Sequence, residues 1–157
     1  MKRALMTLLV PFALAACGTA ATNYGGGSAP SSQAGPATIS VQGSSLGQIL
    51  VDGNGKTLYL FEADTSAQST CSSACAQAWP PVTTNGAPKG AGGASASLLG
   101  TTARSDGTTQ VTYGGHPLYS FTGDTKPGDT NGEGSTAFGA GWDVLAPTGE
   151  KIEKPGA

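Results

Sequence analysis

The stretch Leu58-Tyr59-Leu60-Phe61-Glu62-Ala63-Asp64 returns as Leu118-Tyr119-Ser120-Phe121-Thr122-Gly123-Asp124, with its Tyr, Phe and Asp each displaced by 60 residues. Self-similarity at a fixed interval marks one structural unit used twice. In a strand, Tyr59 and Phe61 stand two apart and point to one face, while Leu58 and Leu60 point to the other. A strand that is apolar on both faces wants cover on both, so it belongs inside a core. In the second copy Ser120 replaces the leucine, and that strand is expected to turn one face to water or to its sister repeat.

Outward from this stretch, each copy is preceded by a turn signal and another strand. Gln48-Ile49-Leu50-Val51 leads through Asp52-Gly53-Asn54-Gly55 into the first copy, and Thr109-Gln110-Val111-Thr112-Tyr113 leads through Gly114-Gly115 into the second. Both read as β-hairpins. A tryptophan follows each copy, Trp79 and Trp142, as an aromatic that can return to the strand face. The expected fold is mainly β: two tandem related hairpin/meander repeats, 37–82 and 98–147, forming one small antiparallel β domain with one short disulfide-stapled helix. Residues 83–97, rich in Gly, Ala and Ser, read as a surface connection, and 148–157 as a C-terminal tail.

The N-terminus gives an address. Lys2 and Arg3 precede an apolar run from Ala4 to Ala16, interrupted by Pro11 and too short to span a bilayer, so 1–16 reads as a secretory signal. It ends in Leu14-Ala15-Ala16-Cys17, which resembles the lipobox of bacterial lipoproteins; the resemblance implies that the Cys17 thiol carries a diacylglyceryl group. Two or three acyl chains anchor a protein stably where one does not, so the expected partner is a membrane of the cell envelope, inner or outer, with the domain facing periplasm or exterior. Residues 17–36 have the composition of a flexible tether.

Composition bounds the function. The chain has 157 residues, 25 of them Gly and 10 Pro, and 11% are charged, which leaves room for one modest domain. Without Lys2 and Arg3, six basic residues face ten acidic ones, a formal charge of −4, and no basic cluster remains to bind nucleic acid. The exported chain retains no Met and a single His, which excludes a Met/His-rich copper carrier.

Cys71 and Cys75 are the cysteines left after Cys17, and in an oxidising compartment a disulfide between them is expected. Thr70 is a candidate N-cap, three alanines favour helix and Pro80-Pro81 stops it, so Cys71, Cys75 and Trp79 are expected on one face of a short helix. The spacing departs from Cys-x-x-Cys redox pairs and from the Cys-x-x-Cys-His of covalent haem.

Taken together, duplicated Tyr-x-aromatic-x-x-Asp behind a lipobox, with Cys71-Ser72-Ser73-Ala74-Cys75 running into Ala78-Trp79-Pro80-Pro81, resemble the bacterial lipoprotein family described as a secreted repeat of unknown function. The resemblance covers about Ile39 to Pro147 and implies a location but no activity.

The remaining motifs are weaker. Asp64 and Asp124 fall where their strands should end, each followed by Thr; a carboxylate there can accept backbone N–H bonds and fix the turn, the alternative being a ligand or ion site shared by the repeats. Asp129, Asn131 and Glu133 alternate like the opening of a calcium loop, but Ala140 stands where the bidentate Glu belongs, so a solvated turn is expected and a weak cation site is the alternative. Gly43-Ser44-Ser45-Leu46-Gly47 matches G-x-S-x-G without the strand-to-helix context that motif needs. His116 reads as an exposed turn residue.

No catalytic constellation and no cofactor are therefore expected. The favoured function is a non-enzymatic envelope module, binding or structural, whose candidate surface is the pair of clusters Tyr59, Phe61, Asp64, Trp79 and Tyr119, Phe121, Asp124, Trp142. Two alternatives remain: a redox- or cofactor-associated envelope protein using Cys71, Cys75 and Trp79, and a cation-dependent adhesion module using Asp64, Asp124 and Asp129.

Overall fold

A computed structural model describes residues 35–152; the signal, Cys17, most of the tether and the last five residues lie outside the described residues. Eight strands and one helix follow in chain order: β1 (Thr38–Ser44), β2 (Gly47–Asp52), β3 (Tyr59–Phe61), α1 (Ala74–Ala78), β4 (Lys89–Gly90), β5 (Leu99–Ala103), β6 (Thr109–Tyr113), β7 (His116–Pro117) and β8 (Trp142–Val144). They form three small sheets, ordered β2-β1-β4, β3-β8 and β5-β6-β7, and all pairings but the short parallel β1–β4 contact are antiparallel. The mainly β architecture with a short disulfide-bonded helix is as the sequence implies.

Both hairpin signals fold as read. In the second repeat, Gly114 and Gly115 take φ of 59° and 89° and close a two-residue turn between β6 and β7, the left-handed backbone that glycine adopts without penalty. In the first, Asp52 Oδ1 accepts the N–H groups of Asn54 and Lys56 at 2.8 and 2.9 Å and shapes a longer turn.

The two faces of β3 lead to two cores. Tyr59 and Phe61 enter one with Ile49, Val51, Cys71, Cys75, Trp79, Tyr119, Trp142 and Val144. Leu58 and Leu60 enter the other with Ile39, Leu50, Val111, Tyr113, Leu118 and Leu145. The strand covered on both sides is therefore observed, and its period-2 alternation produces it.

The repeats are intertwined, which the expectation that each tryptophan serves its own strand did not contain. At the centre Tyr59 and Tyr119 pair with each other: the Tyr59 N–H donates to the Tyr119 carbonyl at 2.8 Å, and the Tyr119 N–H to the Tyr59 carbonyl at 3.0 Å. A pseudo-twofold axis passes between them. Beyond the tryptophans each chain segment crosses to the other repeat. Val82 donates to the Leu118 carbonyl at 2.9 Å and accepts from the Val111 N–H at 2.8 Å; its counterpart Leu145 donates to the Leu58 carbonyl at 3.2 Å and accepts from the Leu50 N–H at 2.9 Å.

One departure from symmetry has a direct chemical cause. Trp142–Val144 forms a ladder with Tyr59–Phe61, but the corresponding Trp79-Pro80-Pro81 gives Tyr119 only an isolated bridge to Pro81. Proline has no N–H to donate. The second-copy stretch expected as a full strand is thus reduced to that bridge and single bonds such as the Ser120 N–H to the Pro80 carbonyl at 2.9 Å, so Ser120 faces its sister repeat. The helix also differs: it spans only Ala74–Ala78, its N-cap is Ser73 and Cys71 precedes it. Thr70 does not cap it: Thr70 lies three residues before Ser73, and its N–H and hydroxyl both donate to Asp64 Oδ1.

The segment 83–97 lies across the surface but is pinned, with Lys89 donating to the Ala37 carbonyl at 2.8 Å and Thr84 Oγ1 accepting from the Ala37 N–H at 2.9 Å. The chain also does not leave the domain at Pro147. It turns back so that the Ile152 N–H reaches the Val144 carbonyl at 2.8 Å.

Because each repeat completes the other's sheet, residues 37–97 expressed alone should show no cooperative unfolding transition, and mixing with 98–152 should restore one, as followed by circular dichroism. The Cys71–Cys75 bond closes a loop of sequence separation 4, and replacing both cysteines by serine should lower unfolding free energy by about 2 kcal/mol in urea titrations without loss of the fold.

Candidate functional site

The duplicated motif residues converge on the pseudo-twofold axis, in the interior. Each tyrosine bonds the aspartate of the other repeat: the Tyr59 hydroxyl donates to Asp124 Oδ2 at 2.6 Å and the Tyr119 hydroxyl to Asp64 Oδ2 at 2.5 Å. The remaining oxygens hold the loops that follow. Asp64 Oδ1 accepts from the Thr70 N–H at 2.7 Å and its hydroxyl at 2.6 Å, and Asp124 Oδ1 accepts from the Asn131 N–H at 2.9 Å. The expected turn chemistry is present, at six and seven residues' range; the cross-repeat tyrosine bond was not foreseen. Both aspartates are buried, 4% and 2% exposed, and both tyrosines are fully buried.

The aromatic residues stack along a line through the same axis. Trp79 and Trp142 lie parallel with centroids 3.9 Å apart, Phe121 stacks outside Trp79 at 4.3 Å, and Phe61 stacks outside Trp142 at 4.1 Å. Tyr59 meets Trp79 edge-on at 5.3 Å, as Tyr119 meets Trp142 at 5.2 Å. Each such pair adds about 0.5–1.5 kcal/mol beyond the area it buries. Gly132 is required here, since a Cβ would stand 2.6 Å from the Trp79 ring. The indole groups differ: Trp142 Nε1 donates to the Ala137 carbonyl at 2.8 Å, while buried Trp79 Nε1 has no hydrogen-bond partner among the described residues. The pair of clusters read as a candidate surface is therefore interior, with only Phe121 half-buried.

Arg104 completes this centre and was not singled out from the sequence. Its guanidinium, 4% exposed, donates to Ser69 Oγ at 2.7 Å, Gln110 Oε1 at 2.8 Å and the Cys71 carbonyl at 2.8 Å. Ser69 Oγ lies 2.7 Å from the Tyr119 hydroxyl, so Arg104 of one repeat is linked through Ser69 to the tyrosine–aspartate pair. The planar five-donor fork suits this task, and Arg104 is the one arginine beyond Arg3.

Burial sets the protonation of these groups. Desolvation, then the hydrogen bond to Asp124, pushes the Tyr59 hydroxyl far above its ordinary value; desolvation, then Asp64, does the same to Tyr119. Desolvation also raises Asp124, against the lowering effect of its Tyr59 and Asn131 bonds. Asp106, at the β5–β6 turn, falls to about 2 because the Thr108 hydroxyl and N–H both donate to it.

The weak cation candidates are engaged elsewhere. Asp129 Oδ2 accepts from the N–H groups of Thr125 and Lys126 at 3.0 and 2.9 Å, Asn131 Nδ2 donates to the Gly123 carbonyl at 3.2 Å, and Glu133 Oε2 accepts from the Val144 N–H at 2.7 Å. Among the described residues no group of three or more His, Cys, Asp or Glu is placed to hold a metal ion. Ser45 is exposed at the β1–β2 turn, whereas His116 is half-buried in β7 of the other repeat rather than exposed.

Tyr59→Phe and Tyr119→Phe should each cost about 1–3 kcal/mol in urea unfolding, because a buried carboxylate loses a donor. In carboxyl NMR titration Asp106 should titrate near pH 2 and Asp124 above the ordinary value of an aspartate. Linkage then gives opposite signs. Asp106 stabilises above pH about 4 and loses this as pH falls through about 2. Asp124 contributes most below pH about 4, and its contribution is lost as pH rises through its elevated folded value.

No curated protein and no solved structure matches the chain. A family model described as a secreted repeat of unknown function matches residues 40–83 and 100–146, one match for each of the two intertwined units. The chain belongs to the family described as a secreted repeat of unknown function.

Proposed function

We propose that this chain is a non-catalytic module of the bacterial cell envelope, held at a membrane by lipid on Cys17 and acting as a compact structural or binding body at the end of its tether. The observation that carries the non-catalytic part is the reciprocal engagement of the motif. Tyr59 bonds Asp124, Tyr119 bonds Asp64, all four are buried, and each aspartate's second oxygen is taken by Thr70 or Asn131. The most distinctive side chains are thereby committed to holding the repeats together. The anchoring part is supported by Leu14-Ala15-Ala16-Cys17 behind a signal-like run, and the secreted description of the family fits a location outside the cytoplasm.

In cells fed a labelled fatty acid, the wild-type chain should take up label and sediment with membranes, and Cys17→Ser should be unlabelled and released by osmotic shock. Membrane association unchanged by Cys17→Ser would refute the anchor. For the non-catalytic part, native mass spectrometry of the Cys17→Ser protein from envelope extracts should show the polypeptide mass alone; a stoichiometric haem or metal would refute it.

A further inference from the structure

Counted back from the two tryptophans, the crossovers of the repeats align without a gap: Cys71-Ser72-Ser73-Ala74-Cys75-Ala76-Gln77-Ala78-Trp79 against Gly134-Ser135-Thr136-Ala137-Phe138-Gly139-Ala140-Gly141-Trp142. Phe138 thus holds the place of Cys75. The two side chains part ways: Cys75 is 7% exposed, while Phe138 is 51% exposed and is the one large hydrophobic residue in the open among the described residues. Trp142 Nε1 draws the Ala137 carbonyl inward at 2.8 Å, and the chain turns there through left-handed backbone, with φ of 63° at Phe138 and 90° at Gly139. A bulky residue rarely adopts that conformation, whereas glycine adopts it freely. Neither backbone preference nor burial within the domain favours a phenylalanine here, and such strain concentrates at sites of function.

The surroundings of the ring narrow the partner. From Gly134 to Trp142 the sequence carries no Asp, Glu, Lys or Arg. Glu62, whose N–H donates to the Gly141 carbonyl at 2.9 Å, is neutralised by Lys151 at 2.9 Å. A stable protein interface covers about 800 Å² per partner, and one ring among Gly, Ala, Ser and Thr offers far less. A bilayer surface needs no matching pocket and takes aromatic side chains at the boundary of headgroups and acyl chains.

We infer that Phe138 is a second, peripheral membrane contact, inserting at the headgroup level of an uncharged or zwitterionic lipid surface. The inference rests on the lipid proposed at Cys17. The 19 residues 18–36 reach at most about 65 Å, so the anchor holds the domain at high local concentration beside the bilayer, where one ring suffices to orient it. The exported chain's formal charge of −4 opposes the negative surface of anionic lipid.

The test couples the exported chain, whose one thiol outside the Cys71–Cys75 bond is Cys17, to maleimide-bearing lipid in phosphatidylcholine vesicles. In the Phe138→Trp chain, coupling should shift tryptophan emission to shorter wavelength, and phospholipid brominated near its headgroup should quench it. The Phe138→Ser chain, which retains only the buried Trp79 and Trp142, should show neither effect. Because tryptophan itself favours interfaces, the wild-type chain is followed by hydrogen exchange: coupling should slow the amides of residues 136–140, and Phe138→Ser should abolish the slowing. Emission indifferent to coupling, or amides that slow in neither chain or equally in both, would overturn the proposal. So would an emission shift that appears in vesicle-free solution as concentration rises, which assigns the ring to a second copy. Chemical coupling works whether or not cells acylate Cys17, so this test and the fatty-acid labelling fail independently.

Discussion

Two hydrogen bonds, from Tyr59 to Asp124 and from Tyr119 to Asp64, set the terms for everything else in this domain. A buried phenol needs an acceptor and a buried carboxylate needs donors, and leaving either unmet costs about 1–3 kcal/mol against a total stability of about 5–15. Neither repeat supplies both halves of a bond to itself. The requirement can be met only when the repeats face each other across an axis, and the backbone bonds between Tyr59 and Tyr119 place that axis within one residue of both hydroxyl-bearing side chains. The ring stack then follows, since the chain leaving each aspartate brings its tryptophan back to the same centre, where Trp79 and Trp142 cover one another.

Symmetry is strict at the centre and relaxed away from it. The tyrosines, aspartates, phenylalanines and tryptophans correspond one to one. The periphery diverges: Asp64 is held by a threonine's two donors, Asp124 by one amide of Asn131, and Arg104 reinforces only one of the pairs. Pro80-Pro81 weakens one ladder relative to the other. Such differences cost little where each loop can find its own local bonds, but a change in any axial residue is felt by both halves.

Local features were legible in the sequence and partner choice was not. The alternation Leu58-Tyr59-Leu60-Phe61 specifies a strand buried on two faces, and Gly114-Gly115 specifies a turn, because both are decided within a few residues. Val82 and Leu145 carry no mark saying which repeat they join; that is settled by which arrangement satisfies the tyrosines. Thr70 has the chemistry of a helix cap, yet the helix begins beyond Ser73 and Thr70 is drawn back to Asp64, to which its N–H and hydroxyl both donate. Asp129, Asn131 and Glu133 have the spacing of a cation loop, but N–H groups of Thr125, Lys126 and Val144 reach the acidic side chains and the asparagine turns to a carbonyl. The reciprocal bond did have a signal: a carboxylate set at the end of each apolar strand, at the same interval in both copies, needs a donor that its own strand lacks.

The exchange of Val82 and Leu145 between repeats has an ancestral corollary. A lone unit of this kind has an unfilled place beside its own strands and a terminal segment that fits only another unit's, so it closes only against a second, complementary unit across the tyrosine axis. Joining two such subunits through a linker like 83–97 converts an assembly governed by concentration into an intramolecular one. Gene fusion would then free the off-axis surfaces to differentiate, while both copies of the central motif stay under the same constraint.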